Sequence, residues 1–208
     1  PLIGGNTTRS EHGVSITITA MGEASHMPLK TRLMAEEGDL ICVTGPLGDS
    51  LAGFNVLEKG LYGYEELRLK HLRPEPRLLE GQWLSGQMGV HAMMDISDGF
   101  RSDVVKMAEA SGLGLSVDIE EMPHSPEFAR YTKDMEWPLH VVATSGGEDY
   151  EILCAVGAKQ FESLASEFLL RFGRKLSVVG SFTADLEYQW KNDLEDRVKN
   201  GDLSFKAF

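Results

Sequence analysis

The sequence is poor in basic residues, and this shortage argues against two classes of partner. Lysines and arginines number 20 against 32 aspartates and glutamates, which gives a formal net charge of -12 at pH 7. Such an excess of negative charge repels the phosphate backbone of nucleic acid and the surface of an anionic membrane. We therefore expect neither partner. Small phosphate ligands remain compatible with the charge, because divalent cations bridge them to acidic side chains.

Long apolar runs and cysteines are scarce as well. No apolar run is long enough to span a bilayer, and no signal peptide is visible. Cys42 and Cys154, the two cysteines, lie in the apolar segments LICV and EILCAV. This setting is typical of reduced core thiols, so we expect a cytoplasmic protein. Because the chain begins with Pro1, we expect either a processed start or a piece of a longer protein.

The order of strand and helix patterns predicts the fold class. LICV, VHAMM and YEILCAV predict short buried strands, and FRSDVVKMAEASG predicts an amphipathic helix that ends at Gly112. Near the start, Val14, Ile16 and Ile18 alternate with polar residues, which predicts a half-buried strand. Several predicted helices follow one another directly. We therefore predict an α+β fold with a mixed or antiparallel sheet and packed helices.

The segment MMDISDGF raises the first question of function, because carboxylates follow an apolar strand. Asp95 and Asp98 stand three residues apart with Ser97 between them, just before a predicted helix near Phe100. One interpretation is structural: Ser97 or Asp98 caps that helix. The other is a phosphate site, in which both carboxylates bind Mg2+ and the serine contacts a phosphate group. These residues alone leave both interpretations open.

Two glycine-containing segments have the same ambiguity. SGGEDYE, residues 145–151, places Glu148, Asp149 and Glu151 beside a predicted strand. Its glycines permit either a solvated turn, which we favour from these residues alone, or a close approach to a ligand. GPLGDS resembles a phosphate-binding loop but lacks the P-loop lysine. We interpret it as a strand-to-helix connection capped by Asp49 or Ser50.

Taken together, five segments resemble the thiamine-monophosphate kinase family of the aminoimidazole-ribonucleotide synthetase-like superfamily. They are IGGNTTRS, TGPLGDSLAG, HLRPEPR, MDISDGF and SGGEDYE, in that order. The resemblance implies an ATP- and Mg2+-dependent enzyme that phosphorylates thiamine monophosphate to thiamine diphosphate. It also implies a homodimer in the full-length protein. Residues 1–27 would be the end of a truncated N-terminal ATP-binding domain, and residues 28–208 a C-terminal α+β domain, with a boundary inside residues 23–30.

The same resemblance implies binding roles for individual residues and names no catalytic residue. Asp95 and Asp98 match metal ligands, while Ser97 and Arg32 match contacts to ATP. Substrate contacts are implied for Glu148 and for Phe205, which lies in the terminal segment SFKAF. Because Ala207 replaces the usual histidine of that segment, simple packing of the tail is the alternative for Phe205.

One departure concerns Asn6, which stands where the family has an aspartate that binds metal. Asparagine offers a carbonyl oxygen but no charge, so we expect one ion to bind more weakly there. Two alternatives to the kinase follow. One is another ATP-dependent enzyme of the same superfamily, and the other is a degenerate, non-catalytic binding domain. We expect the chain as given to be inactive alone, because half of the implied site lies upstream of Pro1.

Overall fold

The computed structural model describes residues 2–23 and 29–193. Residues 40–191 form one six-stranded sheet with helices on both faces. The strands are β1 (Leu40–Val43), β2 (Val90–Asp95), β3 (Gly114–Asp118), β4 (Ile152–Val156), β5 (Ser177–Thr183) and β6 (Tyr188–Lys191). The helices are α1 (Asp49–Glu58), α2 (Glu65–Leu72), α3 (Leu78–Ser85), α4 (Phe100–Ser111), α5 (Pro126–Asp134), α6 (Leu139–Ser145) and α7 (Phe161–Phe172), with a 3-10 turn at Ile119–Glu121. None of these described helices is long and apolar enough to cross a membrane.

The sheet is mixed, as the sequence predicted. Its strand order is β2-β4-β1-β5-β3-β6, and every neighbouring pair is antiparallel except β3 with β6. Helices α1 to α3 connect β1 to β2, which is an outer strand of the sheet. Strand β4, later in the chain, lies between β1 and β2. The prediction of an α+β fold with a mixed sheet and packed helices is confirmed.

Alternate residues of the central strands build two separate cores. On β4, Leu153 and Ala155 belong to the larger core, which packs against α1, α4, α5 and α6. Cys154, on the opposite face, belongs to the smaller core with residues of α3 and α7. Since successive side chains of a strand point to opposite faces, a strand covered on both sides is apolar throughout. This explains the uninterrupted apolar run ILCAV.

The strand predicted near the start of the chain is wrong. No strand lies within residues 2–23, and Val14, Ile16 and Ile18 are 81–89% exposed. An alternating pattern becomes a strand only where a neighbouring strand and a core are present to satisfy it. None of the described residues provides either for this segment. The predicted domain boundary near residue 27 falls among residues outside the description and stays a prediction.

Strands β1 and β2 finish, and strands β4 and β5 begin, on the same side of the sheet. The register pairs Asp95, the last residue of β2, with Ile152, the first of β4. Val43, at the end of β1, pairs with Leu153 on one side and with Ser177, the start of β5, on the other. The two acidic segments of the sequence, after β2 and before β4, therefore meet at the same place.

Candidate functional site

The two acidic segments continue the pairing of β2 with β4 beyond the last residues of the strands. The Ile96 amide donates to the Glu151 carbonyl at 2.8 Å, and the Tyr150 amide donates to the Ile96 carbonyl at 2.9 Å. One step further, the Glu148 amide donates to the Ser97 carbonyl at 2.8 Å. These backbone bonds fix the two segments against each other residue by residue. They form a single unit that begins at the buried strands and ends in solvent.

Glycines allow the two segments to approach this closely. A Cβ atom on Gly147 would lie 2.6 Å from the Ser97 carbonyl oxygen, well inside van der Waals contact. Gly99 adopts φ of 104°, and a Cβ there would lie 3.0 Å from the carbonyl oxygens of Ser145 and Gly146. Both positions therefore require glycine. Because contacting backbone excludes any side chain, SGGEDYE is not the simple solvated turn that its composition favoured.

Three carboxylates project from this unit into solvent, and we call them the acidic edge: Asp95, Asp98 and Glu148. All three residues are exposed. Tyr150 lies among them, since its hydroxyl donates to the Glu148 Oε2 at 2.8 Å. The hydrogen bond to Glu148, together with burial and the charges of Glu148, Asp95 and Asp98, raises the pKa of Tyr150. The structure thus brings Glu148 of one segment together with the pair Asp95 and Asp98 of the other.

The cap of α4 is not the one that the sequence suggested. Neither Ser97 nor Asp98 caps the helix, whose first flanking residue is Gly99 with no side-chain cap bond. Instead the buried carboxylate of Asp103, inside the first turn, accepts the amides of Ser97 and Asp98 at 3.0 Å each. Lys106 donates to Asp103 at 2.8 Å and also to Asp98. Capping therefore does not account for Asp95 and Asp98.

Asp149 turns away from the acidic edge and anchors its loop to α1. Its carboxylate accepts the amide of Gly48 at 2.7 Å and that of Ser50 at 3.0 Å, at the N-terminus of this helix. Burial raises the pKa of Asp149 to about 7, and the two backbone bonds only partly oppose that rise. Neither Asp49 nor Ser50 caps α1, contrary to the sequence interpretation. Asp149, about 100 positions further along the chain, accepts the free amides of this helix instead.

Glu151 makes the second anchor, through a buried ion pair with Arg77. The guanidinium Nε and Nη2 of Arg77 lie 2.9 Å and 2.7 Å from the two carboxylate oxygens of Glu151. Both residues are at most 6% exposed. The hydroxyl of Thr44 donates to the same carboxylate at 2.7 Å, which completes its shell. Sequence reasoning missed this pair, although Arg77 lies in the quoted segment HLRPEPR.

A groove of about 500 Å³ starts at Asp98 and runs between α4 and α6. Lys106 and Ser102 of α4 line one side, and Thr144 and Ser145 of α6 line the other. The groove thus adjoins the acidic edge, and Lys106 brings a positive charge to it that is shared with Asp98 and Asp103. The hydroxyls of Thr144 and Ser145 donate to the Val141 carbonyl, so this charge is what an anionic ligand in the groove would meet.

The donor set at the acidic edge fits only one kind of metal site. In the described part of the chain, no group of three or more histidine, cysteine, aspartate or glutamate side chains is placed to hold an ion. A closed protein cage is therefore not formed by these residues. Mg2+, however, is commonly bound by one or two carboxylates, with waters and substrate phosphates completing its shell. Asp95 and Asp98 fit an ion that arrives together with a phosphate ligand.

Two other candidate residues, Arg32 and Asn6, are not brought to the acidic edge in the described part of the chain. The carbonyl of Arg32 accepts from Ser111 at 3.1 Å, at the far end of α4 from Ser97. At 1.5 Å per residue, the length of that 12-residue helix is about 18 Å. Asn6 is exposed, and its neighbours Gly4 and Gly5 have no atom of another segment within 4 Å of a Cβ position. Phe205 lies outside the described residues. The roles of these three residues stay predictions.

Comparison with known proteins places this geometry in a family. Residues 36–191 match the family described as AIR synthase related protein, C-terminal domain. The chain belongs to this family. The match contains the whole six-stranded sheet and both acidic segments. Membership in the AIR synthase related family agrees with the α+β fold predicted from the sequence.

Relatives of this family member carry a more specific name. The chain is 37% identical over 194 residues to a thiamine-monophosphate kinase of Salmonella typhimurium, covering 89% of itself and 57% of that protein. Its fold matches a crystal structure of thiamine-monophosphate kinase from Stenotrophomonas maltophilia, with a TM-score of 0.71 and 26% identity, over 79% of this chain and 53% of the other. It also matches a structure described as AaThiL complexed with AMPPCP and TMP, with a TM-score of 0.69, 26% identity, and coverage of 79% and 51%. The chain thus spans somewhat over half the length of these relatives.

Proposed function

We propose that the protein to which this chain belongs transfers a phosphoryl group from ATP to thiamine monophosphate, giving thiamine diphosphate and ADP. The observation that carries the proposal is the acidic edge, where Asp95, Asp98 and Glu148 meet on one backbone-bonded unit. Supporting it, a similar structure is described as complexed with AMPPCP and TMP. The names of its relatives give the same activity.

The main obstacle to this reaction is charge. The acceptor is a phosphate that is already anionic at neutral pH, so it needs no strong general base. It must, however, approach an anionic triphosphate, and two unit charges about 4 Å apart repel by about 4 kcal/mol at an effective dielectric of 20. Mg2+ bound together with the nucleotide would neutralise part of this charge and hold the phosphates in line. A bond then forms between the acceptor oxygen and the γ-phosphorus, while the bond to the ADP oxygen breaks.

The position of each residue would determine its role in binding the metal ion, the nucleotide or the thiamine substrate. Asp95 and Asp98 would hold Mg2+ through their exposed carboxylates. The amide and carbonyl of Ser97 are both bonded within the unit, so its hydroxyl is the group that we assign to the nucleotide. Glu148 would orient the thiamine end, whose thiazolium ring is cationic. Arg32 and Phe205 would complete the ATP and substrate contacts, as the family resemblance implies.

The proposed site needs more than the described residues. We propose that the N-terminal domain of a longer, homodimeric protein supplies the remaining ligands and that this chain is inactive alone. Asn6 weakens one metal position, because it lacks the charge of the aspartate that the resemblance implies. We therefore expect Asn6→Asp to lower the Mg2+ concentration that gives half-maximal rate in the full-length protein.

The test is an assay of the full-length protein with ATP, Mg2+ and thiamine monophosphate, which follows thiamine diphosphate by chromatography. We expect one thiamine diphosphate for each ADP formed. Consumption of a different acceptor, with thiamine monophosphate left unchanged, would assign the protein to another activity of the family. If the full-length protein binds ATP but turns over no acceptor, and Asn6→Asp does not restore turnover, it is a non-catalytic binding domain.

A further inference from the structure

The backbone that carries Glu148 has an unusual conformation. Glu148 has φ of 65° and Tyr150 has φ of 52°, a region that residues with side chains rarely adopt. Such conformations persist where the surrounding structure imposes them, and they concentrate at functional sites. Two of them flank Asp149, so this loop is held in one shape. That shape determines where the Glu148 carboxylate points.

The surroundings that impose this shape are visible. The amides of Glu148 and Tyr150 donate to the carbonyls of Ser97 and Ile96, respectively. Between them, Asp149 directs its carboxylate the opposite way, to the N-terminus of α1. Glu148 and Tyr150 consequently share the side of the loop that faces solvent. There the Tyr150 hydroxyl donates to the Glu148 Oε2 at 2.8 Å.

The charge around Glu148 makes this hydrogen bond important. Asp95 and Asp98 lie close enough for their charges to act on Tyr150, the partner of Glu148, and Lys106 pairs with Asp98. The remaining negative charge at Asp95 disfavours a further carboxylate nearby, so Glu148 without its donor would point away into solvent. Among the residues that the structure describes, the Tyr150 hydroxyl is the donor recorded for the Glu148 carboxylate. Hydrogen bonds to charged groups are stronger than those between neutral groups, so this one is able to hold the carboxylate in place.

We propose that Tyr150 is a positioning residue, whose hydroxyl holds the Glu148 carboxylate in the orientation that receives the thiamine end of the substrate. The proposal rests on the proposed function, in which Glu148 contacts that substrate. Tyr150 itself touches neither ATP nor the transferred phosphoryl group in this account. Its removal should therefore affect the binding of one substrate and not of the other.

The first arm of the experiment is Tyr150→Phe in the full-length protein, which deletes the hydroxyl and keeps the ring. We expect the KM for thiamine monophosphate to rise about tenfold, the effect of losing roughly 1.4 kcal/mol of binding. The KM for ATP, kcat and the urea midpoint should stay as in the wild type. Tyr62→Phe is the matched control, because Tyr62 is 89% exposed. A wild-type KM for thiamine monophosphate in Tyr150→Phe would overturn the proposal.

The second arm asks whether Tyr150 acts through Glu148. In a Glu148→Ala background, Tyr150→Phe should cause no further rise of that KM, because the carboxylate that the hydroxyl positions is gone. An equal rise in both backgrounds would show an independent role and overturn the proposal. This double-mutant comparison also separates positioning from a general loss of loop structure, which would lower the urea midpoint in either background.

A third arm separates this proposal from the proposed function. If the wild-type protein consumes no thiamine monophosphate, the proposed function fails, and crystal structures of the wild type and Tyr150→Phe decide the positioning role. A Glu148 carboxylate that moves away when the hydroxyl is deleted supports positioning of whatever ligand the acidic edge binds. An unmoved carboxylate rejects it.

Discussion

The carboxylates of the two acidic segments and of the first turn of α4 point either outward or inward, and the two groups differ in their partners. The outward group is the acidic edge: Asp95, Asp98 and Glu148. The inward group contains Asp103, Asp149 and Glu151. Every inward carboxylate accepts hydrogen bonds from backbone amides or a guanidinium. Outward partners are fewer, namely Lys106 at Asp98 and Tyr150 at Glu148. The inward carboxylates therefore stabilise the loops, and the outward carboxylates are available to bind a ligand.

Among the tests of this comparison, disrupting the buried ion pair of Arg77 and Glu151 should cause the largest loss of stability. Arg77→Leu should leave the Glu151 charge buried without its partner, and such a loss typically costs about 3–5 kcal/mol. Urea unfolding of the full-length protein measures the change. Arg73→Leu, at an exposed position four residues earlier, is the control and should have little effect.

A further variant sharpens that test. Combining Arg77→Leu with Glu151→Leu removes both charges and should recover much of the lost stability, because no unpaired ion remains. If Arg77→Leu destabilises no more than Arg73→Leu does, the inward group is not structural and the comparison fails.

The raised pKa of Asp149 predicts a pH dependence of stability. The folded pKa is about 7 against an ordinary value of 3.8, so between these values the native state keeps a proton that the unfolded state has lost. This contribution to stability is complete below about pH 4 and is lost as the pH rises through 7. Relative to Asp149→Asn, the wild type should lose about 1 kcal/mol per pH unit in that window. Urea midpoints at four pH values measure this, and parallel curves for the two proteins would contradict it.

A smaller effect is expected where the two segments touch. Gly147→Ala places a Cβ 2.6 Å from the Ser97 carbonyl, so the loops must separate, at a typical cost of about 1–3 kcal/mol. Urea unfolding measures the loss. Gly22→Ala is the matched control, because nothing lies within 4 Å of a Cβ there. Equal stability of both variants would mean that the contact between the segments is not tight in solution.

The sequence predicted the elements whose signals are local. The buried strands and the amphipathic helix α4 carry a clear period. The cap of α5 is local too, since Ser125 accepts the Phe128 amide at 3.0 Å. Helix α6 and strand β6 were not predicted. The first is seven residues rich in β-branched side chains, and the second is short and mostly exposed. The pattern of residues 14–18 misled because a strand depends on partners that lie elsewhere.

The candidate site shows the same difference between local signals and long-range contacts. Motifs identified the outward residues, because exposed carboxylates next to glycines are visible in the sequence itself. The inward anchors depend on contacts between distant positions, such as Arg77 with Glu151, 74 residues apart, and Gly48 with Asp149, 101 apart. Periodicity and spacing contain no information about such pairs. The sequence of SGGEDYE therefore favours a solvated turn, although Asp149 in it is an anchor.

The central claim is that the outward carboxylates serve a ligand and not the fold, and Asp95 tests it most directly. Within residues 2–23 and 29–193 its side chain makes no hydrogen bond and no ion pair. In the full-length protein, Asp95→Asn should lower kcat/KM for thiamine diphosphate formation about 100-fold or more and leave the urea midpoint unchanged. Glu109→Gln, on the exposed face of α4, should change neither quantity. An Asp95→Asn protein with wild-type kcat/KM would contradict the account.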